Sequence, residues 1–87
     1  MKVVKIGEDN HGFLGVAKDY KSAIQFLIEE DWITEATEVY VDVEGGWIRL
    51  DEYFDDWEYE VKNMSRETFD ELFYDNFSLE DIDVYGS

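Results

Sequence analysis

Residues 51–60 read Asp-Glu-Tyr-Phe-Asp-Asp-Trp-Glu-Tyr-Glu, a stretch in which six residues are acidic and four are aromatic. At about 100° per residue, Tyr53, Phe54 and Trp57 fall on one side of a helix, and Val61 joins them one turn later. The acidic residues fall on the opposite side or on its flank: Asp51, Glu52, Asp55, Asp56 and Glu58. The pattern predicts one amphipathic helix, capped by its first aspartate, with an aromatic inner face and an anionic outer face.

A continuous helix in this stretch places like charges one turn apart. The pairs are Asp51 with Asp55, Glu52 with Asp56, and Asp56 with Glu60. Each pair of like charges at i,i+4 costs about 0.2–0.5 kcal/mol, and acids in the first turn recover part of that through the helix dipole. Selection for stability alone favours lysine at some of these positions, so the pattern indicates that the negative charge itself is required.

A second acidic helix and an acidic strand are predicted towards the C-terminus. Ser65 is a suitable N-cap, and Phe69, Leu72 and Phe73 recur at the helical period. The opposite side of this helix is acidic: Glu67, Asp70, Glu71 and Asp75. Residues 79–85 then alternate, which predicts a last strand. Its inward residues are Ile82 and Val84, and its outward residues are Asp81, Asp83 and Tyr85.

The first half of the chain predicts two hairpins around a helix. Apolar runs at 3–6 and 13–17 flank a turn-rich segment, as in a β-hairpin. A helix capped by Asp19 is expected to extend to about Asp31. The second hairpin has strands at 39–43 and 47–50, joined through Gly45 and Gly46.

These elements together predict one acidic α+β domain over residues 1–87, in the order β-β-α-β-β-α-α-β. Three helices are expected to pack on one face of a small, largely antiparallel sheet. The residues expected to be substantially buried are Phe13, Val16, Ile24, Leu27, Val41, Trp57, Phe69, Phe73 and Ile82.

Composition limits the class of protein. The 87 residues are 45% hydrophobic and 17% aromatic, which is too apolar for a disordered chain, and they include no cysteine. No apolar run is long enough to span a membrane, and the N-terminus has no signal-peptide pattern. We therefore expect a cytoplasmic protein without membrane contact.

The charge is distributed unevenly along the chain. Residues 1–28 carry a net charge of +1 and residues 29–87 a net charge of −17, which together give the total of −16. A field of this size repels nucleic acid and acidic membranes and attracts basic surfaces. Direct binding to DNA or RNA is therefore not expected, and a partner should be positively charged.

The sequence has none of the common motifs for catalysis, nucleotide binding or metal binding. The lone histidine, His11, lies in a turn, where an exposed side chain without a catalytic role is the usual outcome. Nucleotide-binding glycine loops and a nucleophile elbow are absent from the sequence. Neither 51–60 nor 75–83 has the ligand order of an EF-hand, although Glu80, Asp81 and Asp83 could share a divalent ion weakly. We predict no catalytic residue, no cofactor and no functional metal site.

The acidic helices instead suggest imitation of a nucleic-acid backbone. Carboxylates three or four residues apart on a helix are about 5–6 Å apart, comparable to the phosphates that basic grooves bind. The predicted partner-binding residues are Asp51, Glu52, Asp55, Asp56, Glu58, Glu67, Asp70, Glu71, Asp75, Asp81 and Asp83. The predicted partner is a basic nucleic-acid-binding protein.

In size and composition the chain resembles the small phage-encoded DNA-mimic inhibitors, which include anti-CRISPR proteins, glycosylase inhibitors and anti-restriction proteins. The resemblance is carried by the acidic stretches 51–60 and 67–75. It implies an anti-CRISPR protein that blocks DNA recognition by an RNA-guided nuclease in the cytoplasm of a host cell, since such enzymes read duplex DNA through a few arginines.

Other interpretations use the same residues. The target could be another DNA-binding enzyme, such as a glycosylase or a restriction enzyme. The protein could also be an acidic adaptor that binds a basic protein without displacing nucleic acid, or a structural domain whose acidity serves only solubility. The sequence leaves these alternatives and the oligomeric state open.

Overall fold

A computed structural model describes residues 2–9, 11–33 and 39–84 of the chain. The fold is α+β, as predicted, and its elements follow the order β-β-α-β-β-α-α-α-β. The strands are β1 (Lys2–Glu8), β2 (Gly12–Ala17), β3 (Tyr40–Val43), β4 (Gly46–Arg49) and β5 (Phe77–Asp83). The helices are α1 (Tyr20–Glu29), α2 (Leu50–Tyr53), α3 (Trp57–Asn63) and α4 (Arg66–Leu72).

The described strands form two antiparallel sheets rather than one. A three-stranded sheet has the order β2-β1-β5, and β3 pairs only with β4 in a separate hairpin. The base of this hairpin is closed where the backbone N–H of Leu50 donates to the Val39 carbonyl oxygen at 2.8 Å. Each strand of the hairpin has four residues, and the hairpin lies beside α4, where the Asn76 side-chain amide donates to the Tyr40 carbonyl oxygen at 2.7 Å.

Helix α1 follows the sequence prediction closely. The Asp19 carboxylate accepts a hydrogen bond from the Ser22 backbone N–H at 2.8 Å, so Asp19 is the N-cap. Hydrogen bonding to Ser22 is the main reason why the pKa of Asp19 is lowered. The buried face of α1 consists of Ala23, Ile24, Leu27 and Ile28.

The core lies between α1, the three-stranded sheet and the C-terminal helices. Its largest fully buried side chains are Phe69, Phe73, Ile6, Leu27, Ile33, Val41 and Val61. The rings of Phe69 and Phe73 stack with centroids 4.6 Å apart, which is a favourable geometry for an aromatic pair. Of the residues predicted to be buried, Ile24, Leu27, Val41, Trp57, Phe69 and Phe73 are confirmed.

The prediction of one continuous acidic helix is wrong. Helix α2 ends at Tyr53, Phe54 has an extended backbone (φ −122°, ψ 130°), and α3 begins at Trp57. The break allows the Asp56 carboxylate to cap α3 by accepting from the Tyr59 N–H. It also removes the one-turn spacing of Asp51 with Asp55 and of Glu52 with Asp56. Asp56 and Glu60 keep this spacing, because the Glu60 N–H donates to the Asp56 carbonyl oxygen at 3.0 Å. The first aspartate, Asp51, lies within the first turn of α2 rather than at its cap.

The predicted burial of Phe13 and Val16 is also wrong, because β2 contains a bulge. The β1–β2 register pairs Lys5 with Val16 and Gly7 with Phe13, and it shifts between Ile6 and Gly7. The extra residue in β2 turns Phe13 and Val16 towards the same side of the sheet. That side faces away from α1, and the two side chains are 63% and 55% exposed.

In the last strand, β5, the residues that face the core are the opposite set from those predicted. Phe77 is buried and Leu79 is half-buried against the core, so Asp81 continues on their side of β5 and Ile82 lies on the other side. Ile82 is only half-buried, which corrects its predicted burial. The predicted outward residue Tyr85 lies outside the described residues. Among the helices that are described, none is long and apolar enough to cross a membrane.

Candidate protein-binding surface

Ten of the eleven predicted site residues have exposed side chains, and Asp51 is half-buried. They occupy three regions. On or beside α2 and α3 are Asp51, Glu52, Asp55, Asp56 and Glu58. On or just after α4 are Glu67, Asp70, Glu71 and Asp75, and on β5 are Asp81 and Asp83.

Some of these carboxylates are already paired with the few bases of the chain. Arg49 makes two hydrogen bonds to the Asp51 carboxylate, at 2.7 Å and 2.8 Å. This contact is the largest cause of the lowered pKa of Asp51. Arg66 lies 2.8 Å from Asp81 and also donates to the Leu79 carbonyl oxygen at 3.0 Å. Asp51 and Asp81 therefore hold elements together and are poorly suited to meet a partner.

The other contacts between predicted site residues and basic side chains have longer distances. Glu52 lies 3.9 Å from Arg49, Glu58 lies 3.5 Å from Lys62, and Asp70 lies 4.0 Å from Arg66. Exposed pairs at such distances contribute about 0–1 kcal/mol, so these carboxylates can exchange partners at little cost. Within the described ranges, no basic side chain lies within 4 Å of the remaining predicted residues: Asp55, Asp56, Glu67, Glu71, Asp75 and Asp83.

A shallow groove of about 550 Å³ lies between the β3–β4 hairpin and α4. Its lining consists of Asp42, Val43, Glu44, Asp70, Glu71 and Tyr74. Four of these six side chains are carboxylates, and they come from two elements that are far apart in sequence. The packing of β3 against α4 thus concentrates negative charge beyond what either element carries alone.

A second groove, of about 410 Å³, lies between α2, α3 and α4. Its lining consists of Tyr53, Phe54, Glu60, Asn63, Met64, Thr68, Glu71 and Leu72. Glu71 lines both grooves, so the two are neighbours on one surface. We call this surface the acidic track and define it by its carboxylates: Asp42, Glu44, Glu60, Asp70 and Glu71.

The acidic track overlaps only partly with the predicted site. Asp70 and Glu71 were predicted, whereas Asp42, Glu44 and Glu60 were missed. The outward position of Asp42 between Val41 and Val43 was visible in the strand alternation, but nothing local indicates that β3 packs beside α4. Predicted residues that line neither groove are Asp51, Glu52, Asp55, Asp56, Glu58, Glu67, Asp75, Asp81 and Asp83.

Aromatic side chains are exposed next to these acids. Tyr74 is 76% exposed in the first groove and Tyr53 is 43% exposed in the second. Tyrosine is enriched at protein–protein interfaces, where its ring provides contact area at a small entropic cost. An exposed ring beside carboxylates also suits a cationic side chain, which can pair with the acid and stack on the ring.

The one histidine of the chain lies apart from the acidic track, in the turn between β1 and β2. No group of three or more His, Cys, Asp or Glu side chains is placed to hold a metal ion in this part of the chain. The His11 imidazole contacts the Glu8 carboxylate and packs edge-on against Trp32 at 5.0 Å between ring centroids. This arrangement ties the β1–β2 turn to the segment after α1.

Comparison with known proteins gives no match to a family model, to a curated protein or to a solved structure.

Proposed function

We propose that this protein is a nucleic-acid-mimic inhibitor that occupies the basic DNA-binding groove of a target protein. The acidic track is its contact surface, and the carboxylates take the place of phosphates. The observation that carries the proposal is the meeting of Asp42 and Glu44 with Asp70 and Glu71 around one groove. The protein has a net charge of −16, so bringing more like charges together lowers its folding stability. This cost indicates that the pattern of charge itself is required.

The distribution of bases supports function over simple solubility. Asp42, Glu44, Glu60 and Glu71 have no basic side chain within 4 Å among the described residues. The bases nearest in the chain make their shorter contacts with other acids, Arg49 with Asp51, Lys62 with Glu58 and Arg66 with Asp81, and Arg66 lies 4.0 Å from Asp70 of the track. A surface selected only for solubility has no reason to leave four of the five carboxylates of the acidic track without a base within 4 Å among the described residues.

We further propose that the target is an RNA-guided DNA nuclease and that the protein acts as an anti-CRISPR protein in the cytoplasm of a host cell. Such nucleases hold nucleic acid in positively charged channels and read a short duplex motif through arginines. A compact acidic protein that enters such a site prevents duplex DNA from binding there. This choice of target rests on the resemblance in size and composition to DNA-mimic inhibitors.

The decisive experiment is competition with DNA. A guide-loaded nuclease is incubated with a fluorescent target duplex, and the polarisation of the duplex is followed as this protein is added. We expect displacement of the duplex with a matching loss of cleavage. A glycosylase and a restriction enzyme are tested in parallel to identify another DNA-binding target. Binding to a target without displacement of DNA identifies an acidic adaptor and contradicts mimicry.

A matched pair of variants tests the acidic track. Glu71→Lys should weaken binding to the target at least tenfold, because losing one partner of a close charge pair costs about 2–5 kcal/mol and tenfold corresponds to about 1.4 kcal/mol. The control, Glu30→Lys, makes the same change of charge at an exposed position at the end of α1 and should change affinity less than twofold. Equal losses from both variants indicate a non-specific effect of net charge.

Ionic strength gives an independent measurement. We expect the affinity for the target to fall steeply between 0.05 and 0.5 M NaCl, because salt shortens the Debye length from roughly 14 Å towards 4 Å and screens charges at a protein interface. An affinity that does not change with salt indicates an apolar interface and contradicts the proposal.

A further inference from the structure

The three-stranded sheet has a second face that no described helix covers. We call it the open sheet face and define it by Val3, Lys5, Phe13, Val16, Glu80 and Ile82. The register places these residues side by side: Val3 with Ile82, Lys5 with Glu80, and Lys5 with Val16. The opposite face carries the buried residues Val4 and Ile6 and packs against α1.

The open sheet face is apolar where the exposed side of an antiparallel sheet is ordinarily polar. Phe13 is 63% exposed and Val16 is 55% exposed, while Val3 and Ile82 are half-buried. Neighbouring exposed apolar side chains of this kind typically mark a surface that binds another protein. On a chain that is 34% charged, such a patch is not explained by a shortage of polar residues.

The charged residues on the open sheet face indicate which kind of partner can bind there. Lys5 is the middle residue of β1, and Glu80 is its neighbour on β5, so the face carries one positive and one negative charge. Neither has an opposite charge within 4 Å in the described part of the chain. The Lys5 ammonium instead lies 6.0 Å from the centre of the Phe13 ring.

We propose that the open sheet face packs against the same face of a second copy of this chain. A two-fold axis that passes between Lys5 and Glu80 brings each Lys5 ammonium within reach of Glu80 of the second copy, and the association covers Phe13 and Val16 of both copies. The six residues of the face carry one charge of each sign and are self-complementary, while Glu8, Asp9 and Asp75 border the concavity at one end of the face and add to the repulsion between the copies at low salt. The result is a dimer that displays two acidic tracks.

The size of the face sets the expected strength. Seven residues of β1 extend about 23 Å, and three strands span about 14 Å, so the face covers about 320 Å² per copy, which is below the size of stable interfaces and fits only a weak, transient dimer. We expect a dissociation constant on the order of 100 μM, which predicts a monomer in dilute solution and a dimer at high concentration.

Salt separates this proposal from the proposed function. Two molecules of charge −16 repel each other, so screening by salt should tighten the dimer, while the same salt weakens binding to a basic target. The dimer does not depend on inhibition of any target, and either proposal can fail without the other.

Sedimentation velocity of the whole chain, from 10 μM to 1 mM in 0.05 and 0.5 M NaCl, measures the association. We expect dimers at high concentration, with affinity at least threefold tighter in the higher salt. Phe13→Ser should abolish association. Trp47→Ser is the control, because Trp47 is similarly exposed, at 66%, but lies on β4 outside the face. A wild-type chain that is monomeric at 1 mM in high salt, or association that survives Phe13→Ser, overturns the proposal.

Charge reversal tests the pairing itself. Lys5→Glu gives the face two acids and Glu80→Lys gives it two bases, so each variant alone should be monomeric. Mixed in equal amounts, the two variants should form a 1:1 dimer, because each face then meets one of opposite charge. A mixture that stays monomeric shows that Lys5 and Glu80 do not meet across an interface and contradicts the two-fold arrangement.

Discussion

Single side chains make several of the contacts that connect secondary-structure elements in this protein. The Tyr20 hydroxyl, at the start of α1, donates to the Met64 carbonyl oxygen at 3.0 Å, where the chain passes from α3 to α4. Its ring packs edge-on against Phe69, with centroids 6.1 Å apart. Burial is the main reason why the pKa of Tyr20 is raised to about 12, and the nearby Asp70 carboxylate adds to the effect.

Tyr20 should therefore make stability depend on alkaline pH. Its pKa is raised above the ordinary 10.0 in the folded state, so its contribution is present below pH 10 and is lost as the pH rises through about 12. In Tyr20→Phe, absorbance near 295 nm should lack the transition with a midpoint at about 12, and the decline in melting temperature above pH 10 should be shallower. An unchanged titration curve contradicts this assignment.

At the scale of secondary-structure elements, the break between α2 and α3 changes the expected effect of mutations in residues 51–60 on stability. On a continuous helix, lysine at both Asp55 and Asp56 converts repulsions at i,i+4 into attractions and leaves stability the same or higher. In the observed fold the Asp56 carboxylate caps α3 through the Tyr59 N–H at 3.3 Å. Asp55 makes no such contact and lies in the turn before the cap.

The two aspartates should consequently behave differently. Asp56→Lys should lower the free energy of unfolding by about 1 kcal/mol, the usual cost of losing an N-cap, and it also places a positive charge at a helix N-terminus. Asp55→Lys, the matched control, should leave stability within about 0.5 kcal/mol. Urea unfolding of both variants measures the difference. Equal stability of the two variants argues for a continuous helix in solution.

At the scale of the whole molecule, charge opposes compactness. A net charge of −16 is carried by a body of 44 × 22 × 21 Å, whose dimensions are similar to the Debye length at low salt. Most of the acids therefore repel one another across the molecule. The ion pairs of Arg49 and Arg66 offset this locally, but three bases face twenty acids in residues 29–87.

Salt should accordingly stabilise the fold. We expect the melting temperature to rise by several degrees between 0.01 and 0.5 M NaCl, since the Debye length falls from about 30 Å to about 4 Å and the self-repulsion is screened. Calorimetry or circular dichroism at low protein concentration measures the shift without interference from dimerisation. A melting temperature that falls with salt indicates that attractive ion pairs outweigh the repulsion.

Features that depend on near neighbours could be predicted from the sequence. Asp19 caps α1 because its carboxylate reaches an N–H three residues away, and Ser65 caps α4 through the Thr68 N–H in the same way. The positive-φ glycines Gly45 and Gly46 allow the turn between β3 and β4. Periodicity identified the buried faces of α1 and α4, because a helix repeats its exposure every 3.6 residues whatever it packs against.

The sequence by itself thus determined the α+β class, the caps and buried faces of α1 and α4, and the excess of acid in the second half, whereas the predicted cap Asp51 and the predicted inner position of Tyr53, which is 43% exposed, are wrong. Only the tertiary structure decided the bulge that turns Phe13 and Val16 outward, the break at Phe54, the phase of β5 and the meeting of β3 with α4. These features depend on strands and helices far apart in the chain, where pairing and packing between elements outweigh local preference. The acidic track belongs to this second group, because Asp42 and Glu44 become its members through packing alone.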